Sequence, residues 1–236
     1  MEAHGLTREQ QQGALAAEHS EPRLLALCRR LFDLVFAGAL ILLLSPLLVA
    51  VTVAIRLDSR GPAFFRQRRV GFHEREFTLF KFRSMRLDAD PRGHQEYVTA
   101  LIKGSEDGDD KSGDDEGETL YKLAVDNRIT PVGRWIRKWS IDELPQLFNV
   151  LFGDMTLVGP RPAIPYEVAE YPTWYLQRFS VKPGLTGYWQ VSGRNERTYE
   201  EMVRLDIEYV ERRSLALDLS ILVKTPWVVL SRKGAE

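Results

Sequence analysis

With 236 residues, 44% of them hydrophobic and 28% charged, the chain is long enough for one real core and too short for two generous domains with a linker, and global disorder is excluded. A balance of 32 basic against 33 acidic residues gives a formal net charge of -1, so nucleic acid is not held by an overall field and an electrostatic partner must meet a local patch. A lone cysteine, Cys28, builds neither a disulfide framework nor a Cys-rich zinc site, which puts the bulk of the chain in a reducing compartment. His4, His19, His73 and His94 are too scattered for a shared metal or a hydrolase triad and read as bystanders.

In chain order, residues 1–20 read as a polar tail and residues 21–58 as a membrane element. Leu34 to Ile55 is a run of 22 residues without a charge. As a straight helix it spans about 33 Å, enough for a hydrocarbon layer of roughly 30 Å. Ser45-Pro46 sits in its middle, where proline removes a backbone donor and pushes the preceding residue out of helical torsions. Arginines flank both ends: Arg23, Arg29 and Arg30 before, Arg56, Arg60, Arg66, Arg68 and Arg69 after. Basic flanks favour the cytoplasmic face, so a helix broken at Ser45-Pro46 that enters and leaves on one face satisfies both. A kinked spanning anchor and a buried hairpin are the alternatives.

Residues 59–236 read as a cytosolic catalytic domain. Ala63 to Met85 alternates apolar and charged residues on either side of Gly71, the pattern of a β-hairpin whose aromatic face needs a helix to cover it. Lys103 to Glu118 holds eight acids against two lysines; a calcium loop started at Asp107 fails because Lys111 takes a ligand position, and a solvated loop is the plain reading. Glu200 to Glu211 has helical spacing with Met202, Leu205 and Tyr209 along one face. The apolar end of the chain, interrupted by Lys224 and Pro226, suits a helix lying on the membrane interface with Trp227 at headgroup level; core packing is its rival.

The sharpest local feature is "WSIDELPQLFNVLFGDMTLVGPRP", Trp139 to Pro162. Ser140 followed by Glu143 has the spacing of a capping box, which places Asp142 and Glu143 in a first helical turn, where the helix dipole keeps carboxylates ionised. Such acids are also ordinary helix punctuation. Their company points further: Lys81, Arg128, Arg134, Arg137, Arg161 and Arg194 are the residue types that bind phosphate oxygens.

The ordered motifs "LLLSPLL", "RRVG", "KFRSM", "RITPVGRWIRKWSIDELPQLFNVLFGDMTLVGPRP", "KPGLTGYWQVSGR", "LDIEYV" and "LDLSIL" resemble the bacterial sugar transferase family, over about Arg29 to Lys233. These are monotopic polyprenyl-phosphate phosphoglycosyl transferases, and the chain resembles their minimal form. The resemblance implies transfer of a sugar-1-phosphate from a UDP-sugar to undecaprenyl phosphate, with release of UMP and with magnesium as cofactor. It implies Asp142 as nucleophile, Glu143 as magnesium ligand or acid/base, Lys81, Arg137, Arg161 and Arg194 around the phosphates, Asp218 in support, and Pro46 as the break in a re-entrant helix. The expected setting is the cytoplasmic face of the inner membrane of a bacterium, in exopolysaccharide or lipopolysaccharide synthesis. The expected fold is α+β: mainly helical, with one β-hairpin, the re-entrant helix broken at Ser45 and Pro46, and interfacial amphipathic helices. A sugar-nucleotide hydrolase and a non-catalytic membrane scaffold are the rival functions. Donor sugar and oligomeric state, a homodimer included, are not legible.

Overall fold

The charge-free run forms the middle of a single helix, α1, Arg23–Asp58, which continues in helical geometry through Pro46. Proline at 46 leaves the carbonyl of Leu42 without its usual donor four residues on. The Ser45 hydroxyl donates to that same carbonyl at 2.8 Å. The expected interruption therefore takes the form of one substituted hydrogen bond within a continuous helix. Only 11% of the most apolar 18-residue window of α1 is buried, which separates it from the core helix of a soluble protein. Leu42, Leu43 and Val49, near its middle, are 77%, 73% and 63% exposed.

A computed structural model describes residues 22–87, 98–102, 128–193 and 197–231, with the single positions 95 and 104. The polar tail, the acidic stretch 105–118, His4, His19, His94 and Arg194 lie outside the described residues.

After α1 the strands β1 (Phe64–Val70) and β2 (Glu76–Phe82) pair antiparallel, with Phe65 opposite Lys81 and Phe64 opposite Phe82. The expected hairpin is present, and its turn carries His73, exposed and left-handed at φ 53°. Helices α2 (Pro131–Lys138) and α3 (Gln146–Phe152) follow, then β3 (Thr156–Val158), α4 (Pro165–Ala169), β4 (Gly184–Thr186) and α5 (Tyr188–Val191). Strands β3 and β4 pair in parallel, a pairing that three-residue strands do not announce by alternation. Helices α6 (Tyr199–Arg212) and α7 (Leu215–Ser231) close the fold.

Both halves of α1 are fastened to this body. In the first half Ala37 packs with Leu147, Val150, Leu157, Tyr209 and Ile221. Arg30 donates to the carbonyls of Val150 and Leu151 at 2.6 and 2.8 Å, capping the end of α3. In the second half Val51 and Ile55 pack with Ala63, Phe82 and Ile136, so α1 and α2 cover Phe82 of the hairpin, whereas Phe64 and Phe65 stay 42% and 47% exposed. Arg83 then ties the strand end to the carbonyls of Ser59 and Arg60 at 2.8 and 2.9 Å.

On α6 the buried stripe is Val203, Asp206, Ile207, Tyr209 and Val210, whereas Met202 and Leu205 are half-buried. The face is rotated from the sequence expectation because a charged side chain, Asp206, points inward. Helix α7 is longer than the apolar run suggested, contains Pro226, and buries Ile221 alone. Leu215, Leu219, Val223, Trp227 and Leu230 form an exposed apolar stripe at helical spacing.

Candidate active site

Thr130 caps α2 by accepting the Gly133 N–H at 2.9 Å, and Pro131 starts the helix with its φ preset. Gly133 permits α2 to lie against the end of β2: a Cβ there would sit 1.9 Å from the Ser84 carbonyl oxygen. This contact carries Arg137, on α2, toward Lys81, on β2.

Ser140 does not form the expected capping box. It has φ 52° and ψ 22°, in the left-handed region, and its side chain caps nothing. Its N–H donates instead to the Arg137 carbonyl at 2.9 Å, so it terminates α2, at the position where glycine is usual, rather than starting α3. The chain then makes one 3-10 turn, Ile141–Glu143, and Pro145 precedes α3. A left-handed non-glycine residue costs about 1–2 kcal/mol, partly offset in a glycine variant by a floppier unfolded chain. Ser140→Gly is therefore expected to unfold at or above the wild-type temperature, and Ser140→Val about 2 kcal/mol less stably. A capping role would make serine the best of the three in thermal unfolding.

The turn places two carboxylates side by side. Lys81 donates to Glu143 Oε1 at 2.8 Å, with both side chains partly buried. Burial, more than any neighbour, pushes the Asp142 carboxyl up to about 6; Lys81 and Arg137 oppose the rise and Glu143 adds to it. The direction is opposite to the one expected from a helix dipole, because the dyad occupies an isolated, half-buried turn. Asp142 is still mainly ionised at pH 7. Lys81, Arg137, Asp142 and Glu143 thus form one cluster.

Arg161 joins through Arg69, whose buried guanidinium feels the charges of both Arg161 and Glu143. Arg161 is exposed between buried neighbours, and its side chain makes no hydrogen bond or ion pair among the described residues. Asp218 has partners in the framework. It pairs with the buried Arg29 of α1, and the Tyr209 hydroxyl lies 2.8 Å from its Oδ1, so it fastens α7 to α1 and α6.

Sequence reading missed two residues that hold the cluster together. Asn149, fully buried on α3, accepts the Phe80 N–H at 3.0 Å and donates to the Thr78 carbonyl at 2.7 Å. It satisfies the outer edge of β2 as a neighbouring strand would, which fixes Lys81 beside the dyad. Arg69, only 4% exposed, donates to the Pro162 carbonyl at 2.9 Å and binds the strand to the loop that carries Arg161. The pattern offered a signal for Arg69 alone, a charge beside core Val70 at a strand end.

The model of the family described as bacterial sugar transferase matches residues 24–232. The chain belongs to that family. It is 44% identical over 207 residues to the undecaprenyl-phosphate galactose phosphotransferase of Salmonella typhimurium, covering 88% of this chain and 41% of the relative. It is 40% identical over 216 residues to the UDP-glucose:undecaprenyl-phosphate glucose-1-phosphate transferase of Xanthomonas campestris, covering 88% and 40%. It is 37% identical over 207 residues to the exopolysaccharide production protein ExoY of Rhizobium meliloti, covering 87% of each. The chain thus spans about two fifths of the length of the first two relatives and most of the third. The matched region contains the whole cluster from Lys81 to Arg161 and both membrane-candidate helix halves.

Proposed function

We propose that this chain transfers a sugar-1-phosphate from a UDP-sugar to undecaprenyl phosphate. The observation that carries the reading is the half-buried Asp142–Glu143 pair held against Lys81 and Arg137, in a chain similar to enzymes named for that transfer. In the first step an Asp142 carboxylate oxygen attacks the β-phosphorus, the bond from that phosphorus to the bridging oxygen breaks, and UMP leaves. In the second an undecaprenyl phosphate oxygen attacks the same phosphorus, the aspartyl bond breaks, and an undecaprenyl diphosphate sugar is released. Two displacements let a water-soluble donor and a lipid acceptor use one site in turn.

A carboxylate approaching a diphosphate meets like charge. Lys81 and Arg137 offset it from the protein side, and in this reading the exposed Arg161 binds donor oxygens. Arg194 is assigned to the same phosphates on resemblance. Among the described residues no group of three His, Cys, Asp or Glu forms a metal cage. A two-carboxylate set fits magnesium, which completes its shell with substrate phosphates and water, and Glu143 is the residue to hold it. The ion, when bound, supplies further neutralisation of the diphosphate.

The nucleophile must be ionised, and its carboxyl is raised to about 6. Donor kcat/KM is therefore expected to be level above pH 7 and to fall about tenfold per unit once pH drops below about 6. A profile level down to pH 4.5 would contradict this. The linkage for stability has the opposite sense: with the folded carboxyl raised, the fold is favoured while the group is protonated, and that contribution is lost as pH rises from the ordinary carboxylate range to about 6.

In this reading α1 bends at Ser45-Pro46 while staying helical and is re-entrant, with the cytoplasmic body on the inner membrane. Fastening of both halves to one body supports it. Cys28, exposed near one end, and a cysteine introduced at Arg60, near the other, are expected to react with an impermeant maleimide in inside-out vesicles only. Labelling from opposite faces would establish a spanning helix.

The function is tested by offering a panel of UDP-sugars with and without undecaprenyl phosphate and magnesium, scoring UMP and lipid-linked sugar. Transfer gives lipid-linked sugar and sustained UMP release only with the lipid; without it UMP stops at a stoichiometric burst. Sugar phosphate released to water without lipid would favour hydrolysis, and no product from any donor a scaffold. The relatives' names favour a hexose donor and a role in exopolysaccharide assembly.

A further inference from the structure

The loop between β3 and α4 is gripped at every residue. The Gly159 N–H donates to Thr186, and the carbonyls of Pro160, Pro162 and Ala163 accept from Gly184, Arg69 and Val70 at 2.8–2.9 Å. The grip on Arg161 itself is different in kind, because it comes from charged side chains with no solvent around them. Arg178 donates to the Arg161 carbonyl at 3.0 Å. Arg178 and Asp206 pair with each other through Nη2 and Oδ2. They are 5% and 0% exposed. A second nitrogen of Arg178 donates to the Tyr171 hydroxyl at 3.1 Å. The Arg161 carbonyl is thereby fixed, while its side chain alone reaches out of the buried loop.

A buried ion pair is a poor source of stability, since its desolvation cost cancels much of its attraction. Apolar residues of similar volume fill such space as well. Its value here lies in geometry: only a planar fork bearing several donors can hold the carboxylate, the tyrosine hydroxyl and the Arg161 carbonyl at once. We propose that Arg178 and Asp206 are positioning residues for donor binding, aiming the Arg161 guanidinium at the diphosphate: Arg178 holds the Arg161 backbone carbonyl, and Asp206 holds the Arg178 fork in place. The inference rests on the phosphotransfer reading of the site. Neither residue touches substrate; both act through Arg161.

The test is donor KM and kcat, with UDP-glucose or UDP-galactose, whichever the wild type turns over. In the Arg178→Met/Asp206→Leu double variant the unfolding temperature is expected to stay near the wild-type value. Its donor KM is expected to rise about tenfold or more, the loss of one charge-assisted phosphate contact. In an Arg161→Ala background the same double substitution is expected to add nothing to KM. An unmoved KM in the folded double variant, or an equal rise with and without Arg161, would overturn the positioning role. Arg178→Lys, which keeps a charge opposite Asp206 but lacks the fork, carries the same test if the double variant does not fold, with a rise again expected only where Arg161 is present. Absence of UMP release by the wild type would sink the parent reading, whereas wild-type turnover with an unmoved KM sinks the positioning role alone.

Discussion

Asp142→Asn is expected to lower sugar-phosphate transfer by at least about four orders of magnitude, the scale seen when a nucleophile that acts with its neighbours is removed. The amide is nearly the same size and fits the same turn, but it offers no anionic oxygen to the β-phosphorus. The same substitution is expected to raise the unfolding temperature at pH 7. Burial makes the ionised carboxylate unwelcome in the fold, and a neutral side chain removes that penalty. Loss of activity together with gained stability separates a chemical role from a structural one. UMP release and thermal unfolding on the same preparation check both. A variant that loses activity only because it unfolds more easily would place Asp142 in the framework rather than in the reaction.

Lys81→Met is expected to lower kcat/KM at pH 7 by about two to three orders of magnitude. The Lys81 ammonium both neutralises Glu143 across 2.8 Å and restrains the rise in the Asp142 carboxyl. Without it, two adjacent carboxylates face each other with Arg137 as their remaining cationic neighbour in the cluster. The proton then stays on Asp142 to higher pH, and the incoming diphosphate meets more negative charge. The acid limb of the pH–rate profile is expected to move upward from about 6, so that part of the loss is recovered at pH 9. Lys81→Arg keeps the charge and should retain the wild-type limb while losing some rate to altered geometry. A uniform loss at all pH values in Lys81→Met would mean that the lysine binds substrate without tuning the nucleophile.

What the sequence made legible depended on whether local pattern or long-range packing set the outcome. The hairpin followed from alternation on either side of Gly71, and the apolar stretch of α1 from its length. The dyad was visible because Asp142 and Glu143 are neighbours in the chain, and Lys81 and Arg137 because basic residues near acids suggest phosphate. Ser140 misled, since serine three residues before glutamate has the spacing of a cap. The end of α2 claims that serine first and sets it left-handed. Asn149 was hidden because its value lies in mimicking a strand for β2, a contact between residues 69 and 71 positions apart. Arg178 and Asp206 went unremarked for the same reason: nothing local marks that the two charges pair in the core. Asp218, given a supporting role by resemblance, fastens three helices through Arg29 and Tyr209, contacts that no local pattern announces. The parallel β3–β4 pair, with the loop it sets up for Arg161, came wholly from tertiary structure.

The most direct measurement is mass spectrometry of protein quenched during turnover with a UDP-sugar and no lipid acceptor. A mass increase of one sugar phosphate is expected on the peptide containing Asp142, absent in Asp142→Asn and discharged when undecaprenyl phosphate is added. An adduct on another residue, or lipid-linked sugar formed with no adduct and no UMP released before lipid addition, would contradict it.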